Sequence, residues 1–93
     1  MGAQIRIVIA QAGWVFVGRY SIEGGEAVIR DGYVLRRWGT NEGTHRGLGR
    51  VAELGPTRET QMDRITDTYV PYHAVIGTMV CTASQWEELC KAR

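Results

Sequence analysis

Cysteine is scarce in this 93-residue chain, with Cys81 and Cys90 its two copies. Two cysteines cannot build a disulfide scaffold, and their spacing matches neither a CxxC redox pair nor a four-ligand zinc site. The expectation is a pair of reduced, partly buried thiols, too far apart to bridge if one ends a strand and the other lies late in the next helix. Histidine is equally sparse. His45 and His73 fall in separate segments, neither beside a nucleophile-elbow sequence. A lone histidine without placed partners makes a poor general base. With the scattered acids these two give no metal-ligand spacing. Asp63 and Asp67, read as one strand face, stand about 13 Å apart at ~3.3 Å per residue. Paired glycosidase acids need ~5–9.5 Å. No catalytic residue, metal or cofactor is therefore assigned, and a small hydrolase or nuclease built on His45 stands as a lesser rival reading.

Charge of one sign is missing too. Eleven basic residues face ten acidic ones, for a net charge of +1, which removes the global electrostatic case for nucleic acid or an anionic membrane. No apolar run approaches the roughly 18–20 residues that cross a bilayer. The opening Met1-Gly2-Ala3-Gln4 lacks the basic and apolar stretches of a secretory signal. Arg6 stands where an N-myristoylation motif requires Ser or Thr. These absences lead to an expected cytoplasmic protein without a membrane partner. Nucleic acid ranks below small ligands.

What is present is an ordinary globular composition, 44% hydrophobic and 23% charged, sized for one domain, residues 1–93. A single core of this size has a narrow stability margin, so a homo-oligomer is expected. Gln4 to Ile9 alternates, with Ile5, Ile7 and Ile9 on one face and Gln4, Arg6 and Val8 on the other, the period of a strand. Gln11-Ala12-Gly13 breaks it. Trp14 to Tyr20 is apolar on both faces, and Gly18 marks a bulge or close backbone approach. Glu23-Gly24-Gly25-Glu26 reads as a hairpin before Ala27 to Arg30, and Asp31-Gly32 as another before Tyr33 to Trp38. The first 38 residues thus predict a four-strand antiparallel meander.

A helix from about Thr44 to Leu54 follows from the spacing of Leu48, Val51 and Ala52. Thr44 would cap it and Gly55-Pro56 stop it. Thr60 to Tyr69 reads as a polar strand, Val70-Pro71-Tyr72 as a break or an edge, and His73 to Cys81 as a last strand. Thr82…Gln85 and Ser84…Glu87 both have capping-box spacing ahead of a C-terminal helix with Trp86, Leu89 and Cys90 on its apolar stripe. The fold expected is α+β, mainly β: an antiparallel meander of about six strands, as a sheet or partly open barrel, with a short middle helix and a C-terminal helix.

Chemistry concentrates between residues 36 and 50. Arg36, Arg37, Arg46 and Arg50 can fork onto phosphate or carboxylate. Thr44, His45, Gly47 and Gly49 provide a backbone that a ligand can approach closely, and Trp38 offers a stacking surface. The segment is neither a Walker A sequence nor a dinucleotide fingerprint. The competing account makes the arginines a solvated strand and loop, with Trp38 in the core.

From Tyr33-Val34-Leu35-Arg36-Arg37-Trp38-Gly39-Thr40 through Arg46-Gly47-Leu48-Gly49 and Gly55-Pro56, the chain resembles a group of small bacteriophage and prophage proteins of unknown function. The early Gly13-Trp14-Val15-Phe16-Val17-Gly18 strand and the late Val75-Ile76-Gly77-Thr78-Met79-Val80-Cys81-Thr82 strand share in it. The resemblance brings no catalytic residues. It implies a phage accessory protein of the host cytoplasm that acts by binding, either an anionic small ligand such as a signalling nucleotide of an antiviral system or a host protein met through exposed strands.

Overall fold

A computed structural model of the chain describes residues 4–38 and 48–91, the Arg50 side chain excepted. Ile5–Ala10 form β1. The 3₁₀ turn Gln11–Gly13, with Ala12 and Gly13 at positive φ, reverses the chain into β2, Val15–Glu23. A hairpin then joins β2 to β3, Glu26–Arg37. Its two turn residues, Gly24 and Gly25, sit at φ 56° and 80°, the consecutive left-handed pair that a type I′ turn demands.

The expected second hairpin at Asp31-Gly32 does not form, because β3 runs straight through it. Asp31 alone turns left-handed there, at φ 53°. One such residue accompanies a bulge, where the type I′ turn of an Asp-Gly hairpin needs two. The register between β2 and β3 slips accordingly, between Val17 and Arg19, so Gly18 does mark an irregularity. Its backbone meets that of Gly32: a Cβ added at Gly18 would stand 2.9 Å from Gly32 Cα. The four-strand meander is thus three strands, the third long and bent.

That length lets β3 hold two partners along one edge. β4, Gln61–Arg64, pairs with its second half and β5, Thr68–Pro71, with its first. The single strand expected over Thr60–Tyr69 is split because its partner bends; Ile65 N–H donates to Gly32 O across the bend at 3.1 Å. Of the segment read as a break or an edge, Val70 and Pro71 belong to β5. Among the described residues β5 pairs with β3 alone, an edge position where proline is tolerated. The 3₁₀ turn Tyr72–Ala74 takes up the start of the expected last strand, so β6 spans Val75–Val80 and pairs with β1.

The result is six antiparallel strands in the order β4-β3-β2-β1-β6, with β5 beside β4 on β3. One face buries Val8, Ala10, Phe16, Ala27, Ile29 and Val70. Val8, Ala27 and Ile29 are fully buried there, with Tyr20, Val34, Ile65, Ala74 and Val75 packed against the cluster.

The other face carries two helices, α1 (Leu48–Leu54) and α2 (Gln85–Leu89). Leu48, Val51, Ala52, Trp86 and Cys90 pack on Ile5, Ile7, Val15, Val17 and Leu35. Trp86 is fully buried, and its Nε1–H donates to Val51 O at 3.1 Å, tying one helix to the other. Gly55 closes α1 at φ 93°, its N–H donating to Val51 O, a left-handed cap. The expected cap at Thr44 lies outside the described residues.

Ahead of α2, Ser84 has helical φ and ψ and makes no side-chain cap, so a capping box on Ser84 is not made. The far end is held instead. Arg19 donates to Cys90 O (3.0 Å), Arg64 to Leu89 O (3.1 Å) and Lys91 O (2.9 Å), and Tyr33 to Leu89 O (3.1 Å). These donors satisfy carbonyls that a helix C-terminus leaves open, and the guanidinium charges complement its dipole. No helix among the described residues is long and apolar enough to cross a membrane.

Candidate functional site

The expected arginine-rich site is described only in part. Thr44, His45, Arg46 and Gly47 lie outside the described residues, as does the side chain of Arg50 in α1. Arg36, Arg37 and Trp38 end β3 and are all exposed. The register slips between Leu35 and Arg37, which makes Arg36 the extra residue of a bulge. Its guanidinium meets Asp63, Nε to Oδ2 at 2.5 Å, with both side chains more than half exposed. Such a pair adds little stability, but it offsets the charge of Arg36. Arg37 has no carboxylate partner among the described residues. Trp38 is 42% exposed and so is no core residue; its carbonyl accepts the Thr60 hydroxyl at 2.7 Å. Gly49 is exposed, and an added Cβ would meet only Met79 Sδ, at 3.9 Å. Neither packing nor a left-handed φ calls for glycine there.

A better-built cluster lies elsewhere. A groove of about 630 Å³ opens between the ends of β1 and β2 on one side and β6 with its preceding 3₁₀ turn on the other. β1 contributes Gln4 (just before it) and Arg6, β2 contributes Tyr20 to Ile22, the turn contributes Tyr72 and His73, and β6 contributes Val75 to Thr78. Register explains the convergence: Arg6 stands opposite Gly18 on β2 and Val80 on β6. Tyr20 then follows Gly18 on the same face, two residues on.

Arg6 is half-buried and held by neutral groups throughout. Its Nε and Nη2 donate to Gln4 Oε1 at 3.1 and 2.7 Å, and Nη1 donates to Thr78 Oγ1 at 2.9 Å. The guanidinium carbon lies 5.5 Å from the centre of the Tyr20 ring, within cation–π range. The contrast with the other arginines is instructive. Arg19 meets Glu87, Arg30 meets Glu23 and Asp67, Arg36 meets Asp63, and Arg64 meets Asp31. Arg6, Arg37 and Arg58 have no carboxylate among the described residues, and of these three only Arg6 is half-buried.

The acid nearest the groove in sequence, Glu23, is already engaged. The Arg30 guanidinium, and after it the Ser21 hydroxyl, hold its carboxyl down at about 2. Burial, and next the nearby Tyr72, push the Tyr20 phenol up, against an opposing pull from Arg6. Tyr72 itself is 57% exposed. A guanidinium carries five N–H donors. Three are used here, which leaves one on each terminal nitrogen. That pair, in a groove whose described lining holds no carboxylate, can take both oxygens of one carboxylate or two of a phosphate.

The two thiols sit in or against the helix-side core and are free. Burial pushes Cys81 up to about 12 and Cys90 to about 11, so neither offers a thiolate nucleophile near neutral pH. His73 is exposed in the 3₁₀ turn. Asp63 and Asp67 are taken up by Arg36 and Arg30.

No protein-family model, curated protein or solved structure matches this chain.

Alternation in the sequence places Arg6 on a strand face with Gln4 and Val8, opposite the isoleucines, and does not mark it as a site residue. Nothing in linear order marks its partners, since Thr78 is 72 positions away. The one available signal was an arginine opposite three isoleucines in a strand short enough to lie at a sheet end.

Proposed function

We propose that this chain is a non-enzymatic binding protein that takes an anionic small ligand at Arg6. The observation that carries the reading is the Arg6 guanidinium, fixed in a groove by Gln4, Thr78 and Tyr20 with no carboxylate among the described residues to neutralise it. A half-buried charge oriented by neutral groups loses hydration without gaining a counter-charge, and a ligand anion restores the balance. Arg37 and Trp38, both exposed at the end of β3, offer a cation and a ring suited to the same class of ligand. The resemblance to phage and prophage proteins supplies the setting. In it, an anion receptor of this size would sequester a signalling nucleotide of a host defence, in the host cytoplasm.

Calorimetric titration against linear and cyclic nucleotides, with acetate and phosphate beside them, tests this. Charge-assisted hydrogen bonds are worth ~1.5–3 kcal/mol, so Arg6→Gln should weaken binding by about 10- to 150-fold. No heat with any anion, or equal binding by the Arg6→Gln protein, would remove the proposal. A second reading, contact with a protein or another copy of this chain, is favoured by β6. That edge strand carries no charged residue and exposes Ile76 (70%) and Val80 (43%), whereas edge strands are commonly blunted by charge or proline. Light scattering that reports a strict monomer at high concentration would count against self-association.

A further inference from the structure

We infer that the ligand of the Arg6 groove is a flat ring carrying a single terminal anionic group, a nucleoside monophosphate or an aromatic acid, with the anion on Arg6 and the ring on Tyr72. This narrows the anion-binding reading above and rests on it. Three features of the groove set the class. The first is charge. Arg6 is the one permanently charged side chain in its lining. Arg30 and Arg19 are committed elsewhere, Arg30 to Glu23 and Asp67, and Arg19 to Glu87 and the Cys90 carbonyl. A second or third phosphate would therefore find no further cation in the described lining, so polyphosphates gain nothing over a single anionic group.

The second feature is the donor count. Two N–H groups remain on the Arg6 guanidinium, one on each terminal nitrogen, which suits the two oxygens of one anionic group. The third is the aromatic surface. The Tyr20 ring is covered by Arg6 itself, but Tyr72 presents a ring that is more than half exposed. Its backbone is fixed, Tyr72 N–H donating to Gly25 O at 3.1 Å, so the platform is positioned before a ligand arrives. Ile22 and Ile76, both exposed, add apolar lining. A groove of about 630 Å³ falls in the range of small-ligand sites, ~300–1,000 Å³.

NMR shift titrations of the full chain with inorganic phosphate, AMP and ATP, and with acetate and benzoate as the carboxylate pair, separate the outcomes. Stacking of a base on an aromatic ring predicts AMP binding about 5- to 150-fold tighter than phosphate. Either AMP or benzoate must show this ring advantage, and which one does identifies the anion. ATP should bind no tighter than AMP, and Tyr72→Ala should bring the ring-bearing ligand down to the affinity of its bare anion. ATP binding tenfold tighter than AMP, absence of any ring advantage, or indifference to Tyr72→Ala would each overturn the inference. Failure of the underlying reading looks different: neither bare anion nor ring-bearing anion binds, or they bind equally to the Arg6→Gln and Arg6→Lys proteins, whose folding is checked by their amide spectra.

Discussion

Replacing Gly32 by alanine tests the central feature of this fold, the point where β2 and β3 touch backbone to backbone. The new Cβ would run into Val17 O and would also lie 2.9 Å from Ile29 Cγ2 and 3.1 Å from Gly18 Cα. Two of these three neighbours are main-chain atoms, so no side-chain rotation relieves the clash. The strands must part, and the adjacent pairs Val17↔Tyr33 and Arg19↔Arg30 are strained with them. Overpacking of this kind costs ~1–3 kcal/mol or more, against a gain of ~0.5–1 kcal/mol because alanine has less chain freedom to lose than glycine. A net loss of about 2 kcal/mol is expected, a large share of the ~5–15 kcal/mol that stabilises a typical domain. The corresponding fall in Tm is about 8–16 °C. Urea denaturation followed by tryptophan fluorescence measures the free-energy loss, and thermal denaturation the fall in Tm. Gly77→Ala is the control: nothing lies within 4 Å of its added Cβ, so the change should stay within ~0.5 kcal/mol. If Gly32→Ala were as stable as wild type, or Gly77→Ala equally damaging, the account of the bulge as an enforced close approach would be wrong.

Trp86→Phe should cost about 1–3 kcal/mol by opening space in the core and removing the indole bond to Val51 O, which keeps the Gly55 N–H; thermal denaturation reads it directly, and a loss below ~0.5 kcal/mol would show that the indole bond is not what joins the helices. The depressed Glu23 carboxyl, at about 2 against an ordinary 4.5, makes the Glu23–Arg30 pair stabilising above about pH 4.5 and progressively lost as pH falls toward 2. A carboxyl-detected NMR titration should find that low midpoint, and Arg30→Gln should return it most of the way to the ordinary value. Thiols raised to about 12 and 11 at Cys81 and Cys90 should react with a thiol reagent at pH 8 at least a hundredfold more slowly in the native protein than in urea; comparable rates would show that the buried setting of the two sulfurs is wrong.

Much of the fold was legible because local rules wrote it. Alternation at Ile5, Ile7 and Ile9 gives β1 its face, and the Gly24-Gly25 pair gives the hairpin, since positive φ at two neighbouring residues is a property of the residues themselves. Asp31-Gly32 misled for the same reason. The dipeptide permits a tight turn, but a bulge facing Gly18 uses the same residues, and the choice between them depends on a strand that lies elsewhere in the chain. The capping sequence at Ser84 was likewise a local permission that the fold did not use, because Arg19, Arg64 and Tyr33 anchor α2 from its other end.

The arginine-rich stretch was conspicuous in linear order, and linear order could not show that Arg36 is offset by Asp63, 27 positions on. Arg6 carried no such signal. What the sequence by itself determined is the set of short-range preferences: strand periodicity, glycine turns, helical stripes, a balanced charge. Which charges find partners and which are left facing a groove was decided only when the strands and helices came together, because neutralisation depends on distances of a few ångströms between residues that chain order keeps far apart.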